Sequence, residues 1–130
     1  IPPRWHAQII RELQHRYQLP VKGFSPQVVA GYENISLQTA TSDAFIRAIR
    51  QASFVYTADS SALHIAAAFD VPTRAIFTAI DPALRTAWYP AVQSVWIGDN
   101  SLLGLHATSD RALLAQSENR FGDFYRQEGF

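Results

Sequence analysis

The sequence contains neither cysteine nor methionine, and its formal net charge at pH 7 is zero. Without cysteine, disulfides and thiolate metal sites are excluded, which fits a reducing compartment. The 11 basic residues are balanced by 11 acidic ones, so no nucleic-acid partner is expected. Because the chain does not begin with methionine, we expect it to be a fragment of a longer protein or a processed one.

Long apolar runs and the common sequence signatures of enzymes are missing as well. No run approaches the ~20 apolar residues that span a bilayer, and the residues after Ile1 do not form a secretory signal. The motifs G-x-G-x-x-G, H-E-x-x-H and G-x-S-x-G and the P-loop are absent. The four histidines, at positions 6, 15, 64 and 106, lack metal-ligand spacing, so we expect no metal. The 130 residues, 48% of them hydrophobic, suffice for one globular domain with its own core.

The apolar pattern predicts a series of short strands and helices. Helices are predicted over residues 4–17, 43–52 and 62–69 and from Ser109 or Asp110 onward, and strands over 21–24, 35–37, 54–57, 73–77 and 93–97. Ser42 is the predicted N-cap of the second helix. This alternation with short links indicates an α/β fold, a Rossmann-like parallel sheet with helices on both faces, in one domain covering residues 1–130.

One stretch, residues 54–77, reads as a strand, a polar turn, a small-residue helix and a second strand. Asp59, Ser60 and Ser61 form the turn, and His64 follows in the first turns of the helix. Free N–H groups and the helix dipole make such a helix start an anion site. In the alternative interpretation, Asp59 or Ser60 only caps a buried helix and His64 is structural. A serine nucleophile paired with His64 is disfavoured, because the turn lacks an elbow and an evident orienting acid.

Ligands of parallel sheets bind at the carboxyl ends of the strands. The turn at Asp59 lies at one such end, the segment after Phe77 lies at a second, and Ser25 lies at a third. We therefore expect these three places to line one crevice.

The same stretch resembles a known family. Asp59-Ser60-Ser61-Ala62-Leu63-His64-Ile65-Ala66-Ala67-Ala68, followed by Val71-Pro72-Thr73 and Ile76-Phe77, is similar to the C-terminal domain of the ADP-heptose:lipopolysaccharide heptosyltransferases, which form glycosyltransferase family nine. Trp5 with the helix after it, Asn34-Ile35 and Asp81-Pro82 match weaker family features in the same order. The similarity covers roughly residues 5–90.

The resemblance implies one half of a GT-B glycosyltransferase, the half that binds the nucleotide-sugar donor, here ADP-heptose-like. The positions that hold the donor's diphosphate and sugar correspond to Asp59, Ser60, Ser61, Ala62 and His64; the further candidates are Ser25, Thr78 and Arg85. The implied reaction is sugar transfer with inversion to a glycan or lipopolysaccharide acceptor, without a cofactor or metal. The implied location is the bacterial cytoplasm, with peripheral contact at the inner face of the membrane through the full-length protein.

Three positions depart from the family pattern. The family has glycine at the positions of Ser61 and Thr78, and it has a ribose-binding acid near Ser25. The first strand of the family's domain, and the acceptor domain that supplies the catalytic base, are not in this sequence. We therefore expect no catalytic residue here and no turnover by this chain alone. Two alternatives stay open: a degenerate sugar-nucleotide-binding module without transferase activity, and a structural α/β domain in which Asp59 is a cap and His64 a core residue.

Overall fold

A computed structural model describes residues 1–102 and 108–130. The helices are α1 (His6–Tyr17), α2 (Ser42–Arg50), α3 (Ser61–Ala68), α4 (Ala83–Thr86) and α5 (Arg111–Glu128), and the strands are β1 (Val21–Gly23), β2 (Tyr32–Asn34), β3 (Val55–Ala58), β4 (Thr73–Phe77) and β5 (Val92–Trp96). Short 3-10 turns cover Pro3–Trp5 and Asn100–Leu102. His106 lies outside the described residues.

The strands of the described residues pair in parallel and form two sheets. One sheet contains β1 and β2, with Val21 opposite Tyr32. The other has the order β3-β4-β5, with Thr73 opposite Val55 on one side and Val92 on the other. Every link between neighbouring parallel strands must cross over a face of the sheet. In the three-stranded sheet α3 and α4 lie in these links, whereas the link between β1 and β2 contains no helix. The predicted parallel α/β architecture is confirmed.

The helices cover both faces of the three-stranded sheet. On one face α3 packs against β4, where Leu63, Ala75 and Phe77 are at most 1% exposed. On the other face α1 and α5 pack together, and Ile9 and Phe121 meet Ile76 of the same strand. Residues 75, 76 and 77 thus alternate between the two faces, as successive residues of a strand do. Both faces of the central strand are buried, which explains why 73–77 is almost continuously apolar.

Two local predictions were wrong. The strand predicted at 35–37 lies three residues earlier, because Tyr32–Asn34 pairs with β1 while Ile35 is buried just after the strand ends. The cap of α2 is Thr41 and not Ser42: Thr41 has an extended backbone, and its hydroxyl accepts the N–H of Ala44 at 3.3 Å. The last helix begins as predicted, with the Asp110 carboxylate accepting from the N–H groups of residues 112 and 113.

No helix within residues 1–102 and 108–130 has both the length and the apolar character needed to cross a bilayer.

Candidate functional site

The site is organised by the turn that joins β3 to α3. Ala58 ends the strand, Ser60 is the N-cap with extended backbone angles (φ −159°, ψ 170°), and α3 begins at Ser61. Burial of Ala62 and Leu63 against the sheet fixes the direction of the helix. Because β3 ends where α3 starts, the amino end of α3 lies at the carboxyl edge of the sheet, where ligands of parallel sheets bind.

The amino end of α3 is exposed and has no side-chain cap. Ser60 makes no capping hydrogen bond, because its hydroxyl instead lies 2.9 Å from the hydroxyl of Thr57. Ser60 and Ser61 are both exposed to solvent. The first N–H groups of a helix have no partner within it, and the dipole adds a positive partial charge at this end. An anion placed there would therefore be stabilised.

Two basic side chains flank this end of the helix on either side of Asp59. The carboxylate of Asp59 lies 3.7 Å from Nε2 of His64 and 3.8 Å from Nε of Arg85. Both distances exceed hydrogen-bond length, and the side chains of His64 and Arg85 are 41% and 48% exposed. Their N–H groups are therefore accessible to an incoming anion. Nδ1 of His64 lies 3.0 Å from the hydroxyl of Tyr89, which fixes the plane of the ring.

In the structural alternative described above, Asp59 caps α3 and His64 is a core residue. Asp59 lies beside two basic groups, and neither it nor Ser60 caps α3 through its side chain. His64 is partly exposed rather than buried in the core. The helical backbone also accepts Ser61 without a positive φ angle, so the glycine of the family pattern is not required for the local conformation.

Ser25 lies in a different cavity from the amino end of α3. Ser60, Ser61 and Ala62 line a cleft of about 960 Å³, whereas Ser25 lines a neighbouring cavity of about 520 Å³. The hydroxyl of Ser25 is 2.7 Å from Nδ1 of His6. His6 is thus half-buried and hydrogen-bonded.

Thr78 lies at the end of β4 and is constrained by its neighbours. The N–H of Ile97 donates to the carbonyl of Phe77 at 2.9 Å, which ties the end of β5 to the end of β4. Gly98 then passes so close that a Cβ atom there would lie 1.8 Å from the Thr78 carbonyl oxygen. Glycine at position 98 allows this close approach.

The site also contains residues that the sequence did not reveal. Tyr89 contacts His64 across 25 positions, and Thr57 engages the hydroxyl of Ser60. Tyr89 follows a four-residue helix and precedes Pro90, a context that gives no periodic signal. Among the described residues no group of three or more histidine or carboxylate side chains converges as a metal site would.

Among the described residues, four groups outside the α3 turn have clearly shifted pKa values: the amino group of Ile1 and the side chains of Tyr56, Asp99 and Tyr125. The side-chain hydrogen bond from Ser101, reinforced by Arg120, lowers the pKa of Asp99 to about 2. Burial raises the pKa of Tyr56 well above its ordinary value. The hydroxyl of Tyr56 is buried and has no hydrogen-bond partner among the described residues.

Comparison with known proteins identifies the family. The sequence profile of glycosyltransferase family 9 (heptosyltransferase) matches residues 32–111, more than half of the 130 residues. The matched segment includes β3, the turn at Asp59, α3 and Tyr89. Comparisons with curated proteins and with solved structures gave no match. From the extent of the profile match, the chain belongs to glycosyltransferase family 9.

Proposed function

We propose that this chain is the donor-binding domain of a glycosyltransferase and that it holds the diphosphate of a nucleotide sugar at the amino end of α3. The observation that carries the proposal is the uncapped, exposed helix start at Ser60 and Ser61, with His64 and Arg85 beside it. A helix buried only for structural reasons gains about 1 kcal/mol from a side-chain cap. Here the hydroxyl that could provide this cap is paired with Thr57.

In the proposed complex, the N–H groups of Ser61 and Ala62 donate to oxygens of the diphosphate. When the Tyr89 hydroxyl donates to Nδ1 of His64, Nε2 carries the hydrogen and donates to a phosphate oxygen. Arg85 supplies a permanent positive charge, and Asp59 keeps both basic groups near the site. As the bond to the sugar breaks, negative charge grows on the leaving diphosphate, and donors already in place stabilise that charge. This arrangement requires no metal ion.

The finer assignments follow from the family and form part of the proposal. The donor is an ADP-heptose-like nucleotide sugar, transfer proceeds with inversion, and the acceptor is a glycan or lipopolysaccharide. The catalytic base comes from an acceptor domain of the full-length protein, which acts in the bacterial cytoplasm at the inner face of the membrane. Thr78, which directly follows β4, contributes to the rim of the donor site, whereas Ser25 lies in the neighbouring cavity.

A proline substitution tests the backbone contact directly. Ser61 is the first residue of α3, where proline is tolerated, and the extended angles of Ser60 suit a residue that precedes proline. Ser61→Pro therefore removes one N–H group while keeping the helix. The loss of one hydrogen bond to a charged group costs about 1.5–3 kcal/mol, so we expect ADP-sugar affinity to fall by about 10- to 150-fold in calorimetry on the full-length protein.

Ser61→Ala is the matched control, because it keeps the N–H group and is expected to bind like the unsubstituted protein. His64→Ala and Ser60→Ala are expected to weaken binding while unfolding at nearly the same temperature. If ADP and UDP sugars at millimolar concentration bind neither the unsubstituted protein nor its variants, the chain is a structural α/β module and the proposal is refuted. Equal affinity of Ser61→Pro and Ser61→Ala would also contradict it.

A further inference from the structure

A tryptophan close to the amino end of α3 is almost fully exposed. Trp88 follows α4 and is 90% exposed, and Leu84 of α4 is 78% exposed. Single exposed leucines are common on protein surfaces, whereas tryptophan is on average highly buried. Keeping an indole ring in water costs free energy in proportion to its apolar area. A ligand or partner that covers the ring of Trp88 would recover that free energy.

The segment that carries Trp88 is held in place by hydrogen bonds to its neighbours. The hydroxyl of Thr86 donates to the carbonyl of Pro82 at 2.9 Å and lies 2.7 Å from the hydroxyl of Ser94 in β5. The ring of Trp88 is therefore presented to solvent from an ordered backbone. Because the backbone is already ordered, binding a ligand there requires little additional loss of conformational entropy.

Trp88 lies on the same side of a helical turn as Arg85. Ala87 keeps helical backbone angles (φ −52°, ψ −27°), and the N–H of Tyr89 donates to the carbonyl of Thr86 at 3.0 Å, so the turn continues past the end of α4. Residues three positions apart on such a turn are neighbours. Trp88 therefore lies beside Arg85, one of the two basic residues that flank the amino end of α3.

The exposed apolar area around Trp88 suits a small ligand better than a protein or a membrane. A tryptophan side chain offers about 150–250 Å², whereas each partner of a stable protein complex buries about 800 Å². Arg85 is the single basic residue of the segment 81–90, and an anionic membrane surface is bound by clusters of basic residues. A sugar ring has one face of C–H groups that stacks on an indole ring, and its hydroxyl groups stay in water.

The two sides of the α3 start differ in the half of a donor that they can hold. The cleft lined by Ser60 and Ser61 extends to β1, whereas Arg85 and Trp88 lie on the side of α4. A nucleoside, which combines a base and a ribose, is the larger half and fits the cleft. The sugar must stay accessible to an acceptor during transfer, and the side of the exposed Trp88 ring allows this.

We propose that Trp88 stacks on the apolar face of the donor's sugar ring and adds affinity for the sugar half of the donor. Leu84, four residues earlier, extends the same apolar surface. Trp88 forms no bond to the sugar and transfers no proton; it orients the ring while the acceptor approaches. This contact depends on the proposed function, because the diphosphate must lie between the amino end of α3 and Arg85 for the sugar to reach Trp88.

Calorimetry on the full-length protein with ADP-glucose, ADP-mannose and ADP separates contact with the sugar from contact with the nucleotide. Trp88→Ala should weaken the binding of the two ADP-sugars by about 5- to 10-fold and change the affinity for ADP by less than about 2-fold. Trp88→Phe keeps an aromatic ring and should stay within about 3-fold of the unsubstituted protein for all three ligands. Leu114→Ala, at a 42% exposed position in α5, is the control and should leave all three affinities unchanged.

Several outcomes would overturn the role of Trp88 and leave the proposed function standing. Trp88→Ala could weaken ADP and the ADP-sugars equally, or weaken none of them, while ADP still binds. A fall of more than about 3 °C in the melting temperature of the ligand-free full-length protein, absent in the 130-residue chain, would show that the ring packs against another part of the polypeptide. Cosedimentation with phosphatidylglycerol vesicles that Trp88→Ala abolishes would assign the ring to a membrane. If neither ADP nor an ADP-sugar binds, the proposed function fails and the role of Trp88 fails with it.

Discussion

The close approach of Gly98 to Thr78 predicts that even the smallest side chain at position 98 destabilises the fold. A Cβ atom there would lie 1.8 Å from the Thr78 carbonyl oxygen and 2.8 Å from Nε1 of Trp96, whereas real Cβ atoms essentially never come within 3.0 Å of another heavy atom. The two segments must therefore separate by at least 1.2 Å, the difference between 3.0 and 1.8 Å. Thr78 directly follows Phe77, which is 1% exposed in β4, so the carbonyl cannot move without disturbing the core.

The expected cost of Gly98→Ala follows from these contacts. Forcing extra atoms into a packed region costs about 1–3 kcal/mol, and replacing glycine by alanine recovers about 0.4–1 kcal/mol through the unfolded chain. The difference spans about 0–2.6 kcal/mol, and because an approach of 1.8 Å is a severe overlap we expect the upper half, about 1.3–2.6 kcal/mol. With an unfolding entropy of about 2.1 cal/mol/K per residue, this lowers the melting temperature of 130 residues by about 5–10 °C.

The change in melting temperature is measured by thermal unfolding, with circular dichroism as the signal. The amide chemical shift of Thr78 reports whether the end of β4 has moved. Asn100→Ala, in the same loop at an exposed position, is the control and should change stability by less than about 0.5 kcal/mol. If Gly98→Ala unfolds within about 1 °C of the unsubstituted chain, the loop absorbs the added atom and the argument is wrong.

Three further predictions concern the core, an ion pair and a buried hydroxyl. Leu63→Ala, at a position with no exposed surface, should lose about 2–5 kcal/mol in urea unfolding, whereas Leu84→Ala, 78% exposed, should lose less than about 0.5 kcal/mol; similar losses would contradict the assigned burial. The carboxyl group of Asp99 should titrate with a pKa of about 2 by NMR. Because this value lies below the ordinary 3.8, the stabilisation from Asp99 is present above pH 3.8 and is lost as the pH falls toward 2. Arg120→Ala should raise this pKa, and an unchanged value would exclude Arg120 as a cause. Tyr56→Phe removes a buried hydroxyl that lacks a partner among the described residues, so stability should stay equal or increase; a clear loss would show that the hydroxyl is hydrogen-bonded in solution.

The elements that the sequence predicted are those with a strong apolar or capping signal. The strand at 73–77 matches β4 because both of its faces are buried, and Asp110 marks the start of α5 because its side chain accepts the first free N–H groups of the helix. The position of β2 was missed for the opposite reason. Tyr32–Asn34 is half-buried or exposed, while the buried residue that attracted the prediction, Ile35, lies just outside the strand.

The candidate site was only partly predictable for a similar reason. The turn at Asp59 and the helix start at Ser61 are local features, so the pattern of residues 54–77 revealed them. The contact between His64 and Tyr89 joins residues 25 positions apart, and it depends on how α4 returns to the edge of the sheet. The pairing of Ser60 with Thr57, which leaves the helix uncapped, depends on a choice of rotamer that residue identity does not determine.

The two terminal helices, α1 and α5, cover one face of the three-stranded sheet, and this limits how far the chain can be truncated. Trp5 precedes the family match at residues 32–111, and α5 begins where that match ends. Yet Tyr125 packs 5.2 Å from Trp5, and Phe121 is 2% exposed beneath them. Trimming the gene to residues 32–111 would remove α1 and nearly all of α5, the helices that cover one face of the three-stranded sheet. Ile76 on that face would then be exposed to solvent. Phe130 is also only 6% exposed and packs 4.8 Å from Tyr56, so the shortest piece expected to keep both faces of the sheet covered extends from Trp5 to Phe130.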